Sequence, residues 1–224
     1  MAEQRKDLFD SALMHVISQL ESFDECTSIQ FQANEGISVS EISNWERRNS
    51  PIRLPDDMKS FYYMFNGFYV AWITQVAGKS LPVGELSLFK LDNIKKVTID
   101  GTYMHTAWTE TSVKVPDAKS CSALLIDTNK FGDIILLQRE NNELPAEIWF
   151  VDNCARWHFL SSSFSDYIRL MVLHLGIFGW QGSFTPEGIS KSTRQWMNLF
   201  CKERLAVDLY YRQTCLKSCN EIQA

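Results

Sequence analysis

Residues 147–200 decide the fold of this chain. They contain three informative runs, EIWFVDNCARWHFL (147–160), SSFSDYIRLMVLHLG (162–176) and WQGSFTPEGISKSTRQW (180–196), and they hold four of the seven Trp residues. The pattern predicts a buried strand, a second apolar run, a capped amphipathic helix, a Gly-containing loop and a further helix. It contains no nucleophile–base pair, metal-ligand cluster or phosphate loop, so it indicates a fold rather than a reaction.

The composition is that of a globular protein with an acidic balance. The 224 residues are 45% hydrophobic and 22% charged, and the net charge is −5. Because there is no basic run, binding to nucleic acid or to an anionic membrane is not expected. The charged N-terminal residues are unlike a secretory signal, and no apolar run approaches the roughly 20 residues that span a bilayer. Six Cys without CxxC pairs fit reduced thiols in the cytoplasm.

The N-terminal third is predicted to be mainly helical. Apolar residues at helical spacing predict an amphipathic helix over about residues 4–22, and a short strand, CTSIQFQA, follows it. A capping box of Ser38 and Glu41 starts the next helix, which stops at 49–51. Pro55 at a first helical position begins another helix, for which Asn66-Gly67 supplies a left-handed exit.

The middle of the chain has the period of strands. FYVAWITQV, SALLID, DIILLQR and EIWFV are short runs rich in branched and aromatic residues. A turn over 127–133 should pair the second run with the third as a hairpin. Residues 100–120 show no clear period and are predicted to be a long loop.

Two helices are predicted in the last third. One spans about 164–175, with Ser163 as N-cap and Gly176 as exit, and the other spans about 189–206. We therefore predict one α+β domain over residues 1–224, with a central, mainly antiparallel sheet flanked by N- and C-terminal helices. The C-terminal helical extension would cover about 189–224.

Glycine-containing segments resemble ligand loops but lack essential residues. Gly78-Lys79-Ser80 matches the end of a phosphate loop, yet Ile73 stands where that motif needs Gly, so a hairpin turn is favoured. Residues 127–132 start like a calcium loop but lack its central ligand and its bidentate Glu. The glycines after the late helix do not have the spacing of a dinucleotide fingerprint.

A structural zinc site is an alternative for the C-terminal cysteines. Cys201, Cys215 and Cys219 include one Cys-x3-Cys pair, and Cys154 or His174 would have to complete the set. Isolated thiols on helical faces are the favoured interpretation, because a second close pair is absent. We predict no metal, no cofactor and no catalytic residues.

Aromatic residues are the remaining sign of function. Trp149 and Trp157 lie in apolar runs and are predicted to be core residues. Phe178, Trp180 and Phe184 lie in a loop among Gly and Gln. These three rings either fold back over the core or form an anchor for a protein partner.

Four blocks taken together resemble a known family. They are WERRNSPIRLPDDMKSFYYMFNGFYVAW, EIWFVDNCARWHFL, FSDYIRLMVLHLG and WQGSFTPEGISKSTRQW. Their order and spacing are similar to those of the family of subunit 2 of the tubulin polyglutamylase complex. More distantly, a helix ending in Asn-Gly before an aromatic strand resembles the SUKH superfamily of α+β binding domains. The chain departs from the subunit 2 pattern in being short through 100–120 and in ending without a long basic tail.

The resemblance implies a non-catalytic scaffold or adaptor subunit of a complex that adds glutamate chains to tubulin. The implied partners are a tubulin-tyrosine-ligase-like catalytic subunit and the other subunits of that complex. Tubulin would be contacted indirectly, because its tails are acidic and this chain carries −5. The implied location is the cytoplasm, at microtubules, centrosomes or the basal bodies of cilia. The alternative is a stand-alone SUKH-type protein-binding domain with a different partner.

Overall fold

The computed structural model describes residues 2–99, 121–139 and 146–222, with side chains described except at 2–8, 10, 12 and 215–222. These residues form an α+β fold, as the sequence predicts. The elements in chain order are α1 (Ala2–Glu21), β1 (Cys26–Glu35), α2 (Val39–Arg48), α3 (Asp56–Tyr62), β2 (Phe65–Val76), β3 (Lys79–Leu88), β4 (Lys95–Val97), β5 (Cys121–Asn129), β6 (Gly132–Arg139), β7 (Glu147–Asp152), β8 (Trp157–Ser161), α4 (Phe164–Leu173), α5 (Lys191–Phe200) and α6 (Lys202–Ile222).

The strands form two antiparallel sheets, ordered β1-β2-β3 and β4-β5-β6-β7-β8. The predicted antiparallel pairing is confirmed, while the division into two ladders was not foreseen. The sheets meet where Phe89, just after β3, donates its backbone N–H to the carbonyl oxygen of Ile126 at 3.0 Å. Because the register of β5 shifts between Leu125 and Asp127, the regular ladder is interrupted at this junction.

The main hydrophobic core is organised around the ring of Phe61. Its centroid lies 5.6–6.0 Å from five other aromatic rings, those of Phe9, Tyr62, Phe65, Phe68 and Phe164. Each such pair adds about 0.5–1.5 kcal/mol beyond the burial of its area. Because these rings come from α1, α3, β2 and α4, the core joins the N-terminal helices to the late helix.

A second, smaller core lies on the opposite face of the five-stranded sheet. Along β6, Ile134 belongs to the main core and Ile135 to the second, as expected from the alternation of side chains in a strand. Trp149 and Trp157 are both buried in this second core, which confirms that they are core residues. The two ring centroids are 6.4 Å apart, in an edge-on arrangement.

Several predicted caps and turns are confirmed. Ser38 and Glu41 form both hydrogen bonds of a capping box, at 3.3 and 2.8 Å. The Ser163 hydroxyl caps α4 by accepting from the N–H of Asp166 at 3.1 Å. Gly78 lies in the turn between β2 and β3 with a φ of 77°, so its segment is a hairpin turn.

Some element boundaries differ from those predicted. Pro55 is the N-cap of α3 rather than its first helical residue, and α3 ends at Tyr62. Gly67 therefore does not end the helix. It lies in β2, with a φ of 77°, where an added Cβ would be 2.7 Å from the Leu88 carbonyl oxygen. The predicted helix over 189–206 is two helices, separated at Cys201, whose φ and ψ are −143° and 54°.

Candidate protein-interaction surface

Residues 175–178 close the exposed edge of β3 after α4 ends. Glu85 donates its N–H to the Gly176 carbonyl at 2.9 Å, and Phe178 donates to the Val83 carbonyl at 3.0 Å. Gly84 is essential to this contact, because its missing side chain leaves room for the indole nitrogen of Trp72. The C-terminal third of the chain is thus attached to the N-terminal sheet.

A buried polar network holds α6 against this segment. The Asp208 carboxylate lies 2.9 Å from His174 Nε2, accepts from the Ser183 hydroxyl at 2.8 Å and pairs with Arg204. The other ring nitrogen of His174 lies 2.6 Å from the Leu170 carbonyl oxygen. Burial opposes ionisation, but the bonds and charges of His174 and Arg204 outweigh it, so the pKa of Asp208 is lower than its ordinary value. The ion pair therefore persists at neutral pH.

This network has a structural role rather than a nucleophilic one. Ser183 donates to Asp208 and not to His174, so it lacks the serine–histidine contact that activates a hydroxyl. Burial, followed by the nearby charge of Asp208, raises the pKa of the Cys201 thiol to about 12, so this thiol stays protonated. Among the described residues, no three His, Cys, Asp or Glu side chains are grouped to hold a metal ion. The side chains of Cys215 and Cys219 lie outside that description.

The three loop aromatics do not share one environment. Trp180 is only 2% exposed and stacks on the His174 ring with centroids 4.6 Å apart. This burial corresponds to the first of the two predicted alternatives, a ring folded back over the core. Phe178 and Phe184 are half-buried, with Lys130 Nζ 4.0 Å from the centre of the Phe178 ring. Partner binding by these two rings stays a prediction.

The outer face of α6 carries apolar side chains that sequence reasoning missed. Val207, Tyr210 and Tyr211 are 40%, 66% and 55% exposed. They lie at helical spacing, opposite the face that buries Leu205 and Asp208. The helix therefore carries large apolar groups on its outer face as well as burying Leu205 and Asp208, whereas the outer face of an ordinary surface helix is polar. Such an exposed apolar stripe is typical of a protein-interaction surface.

The predicted helical extension over about 189–224 includes these residues, but no exposed face is predicted for it. The spacing of Val207, Tyr210 and Tyr211 is equally compatible with a buried helical face. Periodicity identifies an apolar stripe and does not tell which side of the helix meets the core.

Asp127 is a second buried carboxyl, at the junction of the two sheets. It is 4% exposed, and both its oxygens accept from the Ser87 hydroxyl, at 3.0 and 2.9 Å. Burial, followed by the nearby carboxylates of Glu85 and Asp133, raises the pKa of Asp127 to about 8. One adjoining cavity, also bordered by Gln181, measures about 10 Å³ and has room for one water molecule. A wider one, of about 300 Å³, is bordered by Asp127, Glu85 and Ser87.

The chain is similar to one known family and to several known proteins. A model of the SMI1 / KNR4 family (SUKH-1) matches residues 36–170. The tubulin polyglutamylase complex subunit 2 of Homo sapiens is 30% identical over 179 residues, which cover 71% of this chain and 59% of that protein. The subunit 2 proteins of Mus musculus and Rattus norvegicus are 30% and 29% identical, each covering 71% of this chain and 60% of the relative.

The similarity covers part of this chain and part of each relative. The chain spans less than two thirds of the length of the curated relatives that it matches. The family model ends before the segment that closes β3 and before α5 and α6. No solved structure matches the chain significantly. In the part of the chain that the structure describes, no helix is long and apolar enough to cross a membrane.

Proposed function

Because the chain belongs to the SMI1 / KNR4 family (SUKH-1), we propose that it is a protein-binding subunit without catalytic activity of its own. The complex that it joins is one that adds glutamate chains to tubulin. The observation that carries the proposal is the similarity, over 71% of this chain, to three proteins named as subunit 2 of the tubulin polyglutamylase complex.

The site chemistry of the described residues supports the non-catalytic part of the proposal. Ligation of glutamate requires a site that holds nucleotide phosphates and activates a carboxylate. The one segment with phosphate-loop character, at Gly78, is a hairpin turn. The buried carboxyls Asp127 and Asp208 each accept a hydrogen bond from a serine hydroxyl, and they border different cavities, so they do not form an acid–base pair. The catalytic role then belongs to another subunit, which we take to be tubulin-tyrosine-ligase-like.

We propose the exposed face of α6 as the main contact with that partner. Tyr210 and Tyr211 pack edge to face at 5.9 Å, so the pair presents one broad, largely apolar surface. Tyr is enriched among the residues that dominate binding energy at interfaces. We also propose Phe178 and Phe184, which lie in the loop before α5, as part of this contact. The location that follows is the cytoskeleton: microtubules, centrosomes and cilia.

Affinity purification of the tagged chain from ciliated cells tests the assignment. We expect the other complex subunits, including a ligase-like one, to be recovered with it. Recovery of an unrelated partner in their place would contradict the assignment and favour a stand-alone binding domain. The purified chain alone should incorporate no labelled glutamate into tubulin with ATP and magnesium. Incorporation above a heat-inactivated control would show that the chain is itself an enzyme.

The double variant Tyr210→Ala/Tyr211→Ala tests the contact. We expect recovery of partner subunits to fall at least about tenfold, with an unchanged melting temperature, because both side chains are exposed. Tyr63→Ala is the matched control, since it removes a tyrosine that is 40% exposed on α3's C-terminal end. Equal recovery with both variants would exclude α6 as the contact.

A further inference from the structure

A groove lies between α5 and α6 and continues past the start of α5. Its wider part measures about 550 Å³ and is lined by Lys191, Arg194, Gln195, Asn198, Leu205 and Leu209. Its narrower part, of about 180 Å³, shares Arg194 and Leu209 and reaches Gly188 and Arg212. Because the four α5 residues are three, four and seven positions from the first, they lie on one face of that helix. The groove therefore follows about two helical turns.

The positive charges at this groove are not matched by carboxylates of the described residues. Lys191 and Arg194 are exposed, and neither forms an ion pair within the described ranges. Arg212 donates to backbone carbonyl oxygens, that of Thr185 at 2.8 Å and that of Pro186. Carbonyl groups do not neutralise a guanidinium, so three formal charges remain.

The two carboxylates that border the groove are already engaged. Glu187 pairs with Arg156 of the β7–β8 turn. Asp208 is held by Arg204 and by its hydrogen bond from Ser183. The groove consequently keeps a local positive charge on a chain whose net charge is −5.

The placement of these cations does not stabilise the helix that carries them. α5 begins at Lys191 and has no acidic residue in its first turn. Positive side chains at a helix N-terminus oppose the helix dipole. Farther along the same face, the exposed amides of Gln195 and Asn198 offer donors and acceptors of the kind that a peptide backbone requires. The floor, from Leu205 and Leu209, is apolar.

We propose that this groove binds an acidic peptide segment of a partner protein. The carboxylates of that segment would lie on Lys191, Arg194 and Arg212, and its backbone would lie against the two amides. Nucleic acid fits less well, because three cations are fewer than the roughly 6–10 phosphate contacts of strong DNA binding.

Fluorescence anisotropy with the full chain and a labelled oligoglutamate peptide tests the proposal. We expect oligoglutamate to bind and oligoglutamine not to bind. The affinity should fall as the ionic strength rises to about 0.15 M, because exposed charges are screened by salt. Equal binding of the two peptides, or tighter binding of a single-stranded oligonucleotide than of oligoglutamate, would overturn the proposal.

A charge-reversal pair locates the binding. Lys191→Glu/Arg194→Glu should weaken binding of oligoglutamate at least about tenfold, because two attractions become repulsions. The control Lys95→Glu/Lys96→Glu makes the same change in net charge at exposed residues of β4 and should alter the affinity less than about twofold. An equal loss in both would mean that net charge alone is responsible.

The inference goes beyond the proposed function and does not depend on it, because the peptide assay contains no other subunit. If oligoglutamate fails to bind while the complex subunits still co-purify, the groove is refuted and complex membership stands. If oligoglutamate binds but the complex subunits do not co-purify, peptide binding by the groove is supported and membership of the complex is refuted.

Discussion

Asp127 is a carboxyl that the fold keeps protonated. Its pKa is 3.8 in an ordinary setting and about 8 in the folded chain. Between these values the folded state holds a proton that the unfolded state has released, so stability falls as the pH rises from about 4 to about 8. Above about pH 8 the difference is constant.

Asp127→Asn should remove this dependence on pH. The amide is neutral and can still bond to Ser87, so we expect similar stability near pH 4. Near pH 8.5 we expect a gain of up to roughly 6 kcal/mol, at about 1.4 kcal/mol for each pKa unit between 3.8 and about 8. Urea unfolding at the two pH values measures the difference. Asp92→Asn, at a side chain that is 79% exposed, is the control and should change both midpoints equally. A gain that is the same at both pH values would contradict the buried, protonated state.

Trp149 and Trp157 carry the second core, so their truncation should unfold the five-stranded sheet. We expect Trp149→Ala or Trp157→Ala to cost about 3–5 kcal/mol, the range for large rings removed from a packed core. Thermal unfolding followed by circular dichroism measures this loss. Unchanged melting temperatures in both variants would mean that the rings do not support the fold.

At the scale of single residues, the sequence predicts the burial of side chains in strands, but it does not settle burial in the loop that contains Trp180. Trp149 lies between Ile148 and Phe150 in a strand-like run, which is enough to predict that it is buried. Trp180 lies among Gly and Gln, and its burial depends on stacking with His174, a residue of another element. Whether a loop ring is core or anchor is thus decided by tertiary contacts that local composition does not contain.

At the scale of elements, capping and turn chemistry predicted the starts of α2 and α4 correctly because these are local interactions. β3 was not predicted. Its residues, KSLPVGELSL, include Pro82 and Gly84, which weaken a strand pattern. Only glycine at position 84 leaves space for the Trp72 ring. The same glycine weakens the strand pattern in the sequence, so a tertiary contact is the reason that β3 was not predicted.

Two substitutions distinguish a glycine that tertiary packing requires from a glycine that only its turn conformation favours. At Gly84 an added Cβ would be 2.3 Å from the indole nitrogen of Trp72, so we expect Gly84→Ala to destabilise the chain by at least about 2 kcal/mol. At Gly78, with a φ of 77°, nothing lies within 4 Å, and Gly78→Asn should cost less than about 1 kcal/mol. Equal losses in a denaturant titration would contradict the close packing of Trp72 on β3.

At the scale of the whole molecule, the residues beyond the family model complete the fold. The family model ends at residue 170, yet the edge of β3 is covered by the segment that follows α4. We expect a chain shortened to end at Leu173 to form soluble aggregates or precipitate, because an uncovered strand edge pairs with other chains. Size-exclusion chromatography against the full chain measures this. A shortened chain that elutes as a folded monomer would show that the edge needs no cover.

The segment that covers the edge of β3 also determines when this edge stops being open to other chains during synthesis. The Trp72 indole donates to the carbonyl oxygen of Leu175, across 103 residues of chain. Because a ribosome adds about 5–20 residues per second, Leu175 is synthesised only several seconds after β2 and β3. During this interval the nascent sheet presents an open edge at high local concentration on a polysome. We therefore expect the nascent chain to depend on cotranslational chaperones, and slow codons placed between β3 and α4 to lower the soluble yield.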